Sequence, residues 1–194
     1  HEDLLPPRHL SRDGWGHLVI GMALAAAALL FRLPLIALDG LRILFHEFGH
    51  ALTGWMFGCP GIPAFDLMNG GGVAVIWEQH MGLLGLIYIA LGGTFIVMRR
   101  NLWAIGVLAI LTVPYVICAH TRGHEVIYLF MGHGMEMVFA GIFLYRGLSG
   151  RSIINPLEPP LYIMAGAFIT LRDIGFAWDL VFSLEARMTY RLGN

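Results

Sequence analysis

Residues 41–58 read LRILFHEFGHALTGWMFG, and residues 59–80 continue as CPGIPAFDLMNGGGVAVIWEQH. The first stretch is apolar except for a short group of ionisable side chains, which predicts a helix over about 41–58. In the second stretch, Asn69-Gly70 tolerates the positive φ of a tight turn and residues 73–77 are rich in β-branched side chains. A glycine-rich hairpin is therefore predicted over about 59–80.

The composition predicts a membrane protein. Of 194 residues, 57% are apolar and 13% are charged, whereas a soluble domain carries roughly 25% charged residues. The net charge of −1 offers no attraction for phosphate, so nucleic acid is excluded as a partner. The chain has no lysine, which excludes Schiff-base chemistry, and its two cysteines are too few for a disulfide scaffold. Ordinary cytosolic enzymes and disordered tails are excluded by the same numbers.

Apolar length indicates how often the chain crosses the membrane, since one crossing needs about 20 residues. Six segments qualify or nearly do, namely 15–31, 41–57, 81–98, 102–119, 126–145 and 161–184. A turn at 32–40 is expected between the first two, and a proline-containing loop at 146–160 between the last two. Residues 1–194 are thus expected to form a single polytopic, all-α membrane domain. It has about six transmembrane helices and a short β-hairpin, in a bacterial-type cytoplasmic membrane. The arginines divide almost evenly between the two sides, which leaves the orientation open.

The chemistry of the chain is concentrated in the motif His46-Glu47-Phe48-Gly49-His50. Residues at i and i+4 project from the same helix face, so both imidazoles can hold one metal ion. Glu47 lies beside them and can accept a proton from a water that the ion activates. Because ionisable groups inside an apolar helix are costly and usually functional, metal binding is favoured over structural packing.

A zinc site of this kind needs a third protein ligand. The polar-faced helix predicted over about 124–146 offers His133 and Glu136, which lie one turn apart and at the same depth as the motif histidines. One of the two would bind the ion and the other would orient an imidazole. Asp173 is the rival candidate, unless it forms a salt bridge with Arg172 or another buried arginine. The residues leave the choice among the three open.

Two further arrangements stay open. Residues 47–50 also read as Glu-x-x-His and residues 133–136 as its reverse, the unit from which di-iron bundles are built. A two-metal or redox centre with iron or copper is therefore an alternative to single zinc. The edge of the predicted strand at 73–76 could bind an extended substrate segment by backbone hydrogen bonds, with help from Asn69.

The stretch HEFGHALTGWMFG followed by NGGGVAVI resembles the site-2-protease group of intramembrane zinc metallopeptidases, especially its small M50B-like branch. The resemblance runs from about residue 41 to residue 77. It implies that His46 and His50 bind zinc, that Glu47 is the general base, and that a hairpin follows the motif helix. The better known branch takes its third ligand from an Asn-Pro…Asp-Gly motif. Here Asn155-Pro156 lacks the Asp-Gly, so that ligand is not carried over.

The expected function is an intramembrane zinc metallopeptidase that hydrolyses peptide bonds of membrane-associated protein segments. Its partners would be membrane lipid, a membrane-protein or peptide substrate, and other subunits of a membrane complex. The alternative is a non-peptidase metal-binding or accessory subunit of such a complex. The substrate and the oligomeric state are left open by the sequence.

Overall fold

A computed structural model describes residues 12–66, 71–150, 153–185 and 187–188. Within these residues the chain forms six α-helices and one two-stranded sheet, which confirms the expected helical fold with a single hairpin. The elements in order are α1 (Arg12–Leu30), α2 (Arg32–Met56), β1 (Gly61–Asp66), β2 (Gly71–Ile76), α3 (Met81–Met98), α4 (Leu102–Ala119), α5 (Gly123–Ser149) and α6 (Glu158–Phe182).

Five of these helices contain a stretch long and apolar enough to cross a membrane. Among the described residues the stretches are Asp13–Leu30, Met81–Met98, Leu102–Ala119, Gly123–Ser149 and Glu158–Phe182. The motif helix α2 is not one of them, because it carries Arg32, Asp39, Arg42 and Glu47. The expectation of about six spans is therefore reduced to five candidate spans.

Two predicted connections were wrong. The turn expected at 32–40 is the first part of α2, because Pro34 lies in the first helical turn, where a missing N–H costs no hydrogen bond. The loop expected at 146–160 is shorter, since α5 continues to Ser149 and α6 begins at Glu158. Pro159 and Pro160 fill the first turn of α6, a position that suits proline for the same reason.

The predicted hairpin is confirmed over its two strands. β1 and β2 pair antiparallel from Gly61 opposite Ile76 to Asp66 opposite Gly71. The tip at 67–70, which includes the predicted turn at Asn69 and Gly70, lies outside the described residues. Gly58 has a φ of 79° and allows the sharp turn that leads from α2 towards the sheet.

The chain divides into two compact units whose boundaries fall inside the continuous helices α2 and α5. Unit 1 comprises His1–Arg42 and Glu136–Asn194, and its core is formed where α1 packs on α6, at Ala25, Ala28, Ala167 and Phe168. A Cβ on Gly21 would lie only 2.6 Å from the Ile163 side chain, so small residues bring α1 close to α6.

Unit 2 comprises Ile43–Met135 and contains the motif, the hairpin, α3, α4 and the first part of α5. Its core includes Phe57, Leu84 and Ala119. The Gln79 amide donates hydrogen bonds to the carbonyl oxygens of Phe57 (2.8 Å) and Ala119 (3.0 Å). This side chain therefore joins the ends of α2 and α4 just after the hairpin.

Candidate metal centre

The site forms where α2 crosses the first part of α5 in unit 2. A Cβ on Gly49 would overlap the carbonyl oxygen of Met131 and lie 2.7 Å from the Met135 Cβ. Only glycine permits this approach, which lets helix backbones come together as in other small-residue crossings. The motif side chains of α2 therefore reach the face of α5 on which His133 lies.

Three histidines come together at this crossing. The ring centroid of His46 lies 4.6 Å from that of His50 and 4.6 Å from that of His133, edge-on in both cases. The sequence predicted the first pair from its spacing and the third imidazole from the polar face of α5. The structure confirms that all three side chains are neighbours.

The imidazoles of His46 and His50 pack against the backbone of α5 at Gly132. A Cβ built on Gly132 would lie 2.5 Å from Nε2 of His50 and 2.6 Å from Nε2 of His46. Both nitrogens therefore approach the same point of α5, which is possible because residue 132 has no side chain. The glycine at this position thus keeps the two candidate ligand atoms close to each other.

The orientation of His50 fits a metal ligand. Its Nδ1 lies 2.6 Å from the carbonyl oxygen of Tyr128 in α5, a contact in which Nδ1–H donates. The lone pair of the neutral ring then resides on Nε2, the atom that lies close to Gly132 and to the His46 ring. A hydrogen bond from the second ring nitrogen to a carbonyl is the usual way in which proteins fix a ligating imidazole.

Glu136 follows His133 by three residues on α5, and its side chain is fully buried. One ligand atom from each of His46, His133 and Glu136 lies within 4.8 Å of the others, so this group could hold a metal ion. His50 does not belong to this group of three, although its ring contacts that of His46.

In unit 1, Glu136 is also the end of an ion-pair network that the sequence reasoning missed. Arg42 Nη1 donates to both carboxylate oxygens of Glu136, at 3.2 and 3.1 Å. Arg42 Nε donates to Asp39 Oδ1 (3.2 Å), which also accepts from Arg172 Nε (3.0 Å). A signal was present in the sequence, because an arginine one helical turn before His46 in an apolar stretch needs an anionic partner.

The rival ligand Asp173 lies outside the group of described residues that could hold a metal ion. Arg172, one of the arginines considered as its partner, donates to Asp39. Consecutive residues of a helix point about 100° apart, so Arg172 and Asp173 face different neighbours. Of the three candidates, His133 and Glu136 belong to the group of described residues that could hold a metal ion.

Glu47 is buried beneath the hairpin. Glu47 is one of the few buried charged residues among those described. A Cβ on Gly72 of β2 would lie 2.5 Å from Cγ and 2.6 Å from Oε1 of Glu47. The backbone of β2 therefore runs directly against the carboxylate, and glycine is required there. The hairpin and the predicted base form one local arrangement within unit 2.

Comparison with known proteins adds no family to this description. No family model matches the chain, and no curated protein or solved structure matches it either. The resemblance to site-2 proteases therefore depends on the motif and the hairpin alone.

Proposed function

We propose that this chain is an integral membrane zinc metallopeptidase that cleaves membrane-associated protein segments. The observation that supports it best is the cluster of three imidazoles, in which the rings of His50 and His133 each lie 4.6 Å from that of His46. Five helices long and apolar enough to cross a membrane support the location. A base of the expected type, Glu47, directly follows the first of these histidines.

The side chains around Gly132 fit a zinc ion. His46 and His50 would bind it through Nε2, and His133 or Glu136 would complete the protein ligands. A zinc ion held there would lower the pKa of a water and polarise a peptide carbonyl. Arg42 positions Glu136 by hydrogen bonds to both of its oxygens, whichever role Glu136 takes.

Glu47 would move the proton. As general base it accepts a proton from the attacking water, and it then gives this proton to the nitrogen of the leaving amine. Its burial beneath β2 keeps bulk water away from the carboxylate during both transfers. His50 cannot replace it, because the Nδ1 proton of His50 is held by the Tyr128 carbonyl.

The hairpin would present the substrate. In the described residues the sheet has two strands, so each strand has an edge that no other strand covers. An extended segment could pair with such an edge through backbone hydrogen bonds, which make few demands on its side chains. Because β2 lies against Glu47, a segment paired with the hairpin would be held near the predicted base.

The test uses purified protein in detergent, a library of internally quenched peptides and a zinc assay. Glu47→Gln should retain zinc and lose at least about 100-fold in hydrolysis, the contribution of a general base. His50→Ala should lose zinc, whereas His124→Ala should keep it, since His124 bonds to backbone carbonyls outside the cluster. Hydrolysis that persists in Glu47→Gln would contradict the role assigned to Glu47.

A second function, a metal-holding subunit without peptidase activity, is favoured by one observation. His46, His133 and Glu136 already form a group that could hold an ion, and a shift of the neighbouring His50 would add a fourth protein ligand and close a tetrahedral site. A catalytic site keeps one position for water. X-ray absorption on the metal-loaded protein separates the two functions, because an oxygen ligand from solvent is expected only for the peptidase. Iron, copper or two ions per chain would favour a redox centre.

A further inference from the structure

Unit 1 contains a cavity of about 360 Å³ that the proposed peptidase does not use. Its charged lining residues are Arg42, Arg172 and Asp179. Apolar side chains from α1 and α6 complete the wall, namely Leu29, Leu171 and Phe176. The cavity thus combines two cations, one anion and an apolar lining.

The two arginines retain hydrogen-bond donors. Each directs its Nε to Oδ1 of Asp39, and Arg42 directs Nη1 to Glu136. No other described residue accepts a hydrogen bond from these two groups, which leaves Arg42 Nη2 and both terminal nitrogens of Arg172 as donors. Guanidinium groups of this kind bind the oxygens of phosphate or carboxylate.

The position of the cavity indicates where its ligand would come from. α1 and α6 run in the same direction, since Gly21 lies against Ile163 and Ala25 and Ala28 pack with Ala167 and Phe168. Leu29 is the next-to-last residue of the candidate span Asp13–Leu30, so the cavity lies at the end of that span. Where a spanning helix ends, the phosphates of lipid headgroups begin.

The apolar surface next to the cavity also indicates that this end of α1 lies at the membrane boundary. Leu30, Phe31 and Leu33 are 82%, 63% and 82% exposed at the junction of α1 and α2. Contiguous exposed apolar side chains of this size are expected at a membrane boundary. Acyl chains would cover them there.

Charge balance selects the headgroup. Arg42 and Arg172 are already balanced by Asp39 and Glu136, so a purely anionic ligand would leave an excess negative charge beside Asp179. A ligand that carries both a phosphate and an ammonium group adds no net charge. It also supplies a partner for Asp179 as well as for the arginines.

We propose that this cavity binds the headgroup of a zwitterionic phospholipid, with the phosphate at Arg42 and Arg172 and a primary ammonium at Asp179. The inference rests on the part of the proposed function in which α1 and α6 span a membrane. It does not depend on the metal or on peptidase activity. The group that would be recognised is phosphoethanolamine, which occurs both as a lipid headgroup and as a soluble compound.

Lipid titration followed by native mass spectrometry of the full chain tests the proposal. The probes are phosphatidylethanolamine, phosphatidylglycerol and water-soluble phosphoethanolamine. The wild type should prefer phosphatidylethanolamine over phosphatidylglycerol. Arg172→Gln should weaken that binding about tenfold, the effect of losing a charge-assisted hydrogen bond. Arg99→Gln, at the exposed end of α3, is the matched control and should bind as the wild type does.

Asp179→Asn is a second variant, which keeps the test decisive if Arg172→Gln does not fold. It should abolish the preference for phosphatidylethanolamine and strengthen binding of phosphatidylglycerol, because the negative charge that disfavours an anionic headgroup is removed. Equal losses in Arg172→Gln and Arg99→Gln, a preference for phosphatidylglycerol, or retention of phosphoethanolamine without the lipid would each overturn the proposal. Zinc is assayed in the same samples. A wild type without zinc contradicts the peptidase alone, and a wild type without lipid preference contradicts this inference alone.

Discussion

The histidine cluster of unit 2 and the ion-pair network of unit 1 both use residues of α2 and α5, and the network adds Arg172 of α6, but the two regions differ in how their polar groups are satisfied. In the network, Asp39, Arg42, Glu136 and Arg172 neutralise one another. In the cluster, the rings of His50 and His133 each contact that of His46, and the Nε2 atoms of His46 and His50 both approach Gly132. Three imidazoles carry no opposite charges with which to balance one another. The charges of the network are balanced within the protein, whereas the cluster is suited to bind a cation.

The largest effect is expected from breaking the network in metal-free protein. Arg42→Met removes the arginine from the fully buried Glu136 and should lower the free energy of unfolding by about 3–5 kcal/mol. Denaturant titration in detergent, with chelator present, measures this value. Arg146→Met is the matched control: its pair with Glu158 is long (4.0 Å) and partly exposed, so a loss of about 0–1 kcal/mol is expected.

Equal losses in the two arginine variants would show that the buried network contributes no more than a surface ion pair. The double variant Arg42→Met/Glu136→Leu sharpens the result. It should recover much of the lost stability, since apolar side chains can replace a buried ion pair at little cost. If the double variant is no more stable than Arg42→Met, the cost does not come from an uncompensated charge on Glu136.

The next largest effect is expected from a side chain added at Gly132, where the imidazoles of His46 and His50 pack closely against α5. Gly132→Ala places a methyl group where the Nε2 atoms of His46 and His50 converge, and should weaken zinc binding by about 10–100-fold without removing a ligand. Competition with a zinc chelator measures the affinity. Gly141→Ala on the same helix has nothing within 4 Å of the new Cβ and should leave the affinity unchanged. Unchanged zinc binding in Gly132→Ala would place the ion elsewhere.

The smallest effect concerns Cys59, a potential metal ligand of unit 2 outside the cluster. Burial raises the pKa of the Cys59 thiol, and the nearby Glu125 carboxylate raises this pKa further. The thiol therefore stays protonated at neutral pH, and alkylation of Cys59 by iodoacetamide should begin only at higher pH than for an ordinary cysteine. The rate is measured against pH in a Cys118→Ala background. Glu125→Gln should move the profile to lower pH, and a profile that starts below that of free cysteine would contradict the assigned environment.

The raised pKa of Cys59 also gives its effect on stability a sign. A thiol whose pKa is higher in the folded than in the unfolded chain favours the folded state while it is protonated. This contribution is present below the unfolded pKa and is lost as the pH rises through the folded pKa. Stability should therefore fall at alkaline pH, and Cys59→Ala should reduce that fall.

Much of the fold could be predicted because it depends on apolar length and turn chemistry. The helices Met81–Met98 and Leu102–Ala119 coincide with the predicted segments, and both strands lie within the predicted hairpin. The first part of α2 could not be predicted in this way. Pro34 and Gly40 suggest a turn locally, yet they are accommodated in a helix whose Leu35 and Leu38 pack on the core of unit 1. Tertiary packing outweighed local propensity there.

The candidate site shows the same division. The sequence alone determined that His46, Glu47 and His50 share one helix, and that His133 and Glu136 lie one turn apart on another, because helix geometry fixes neighbours within four residues. Only the tertiary structure joined Arg42 to Glu136, which is 94 residues away along the chain. It also decided that Gly49 and Gly132 open the crossing to the imidazoles and that β2 covers Glu47. Such contacts depend on the close packing of separate elements, and residue spacing within one element carries no record of them.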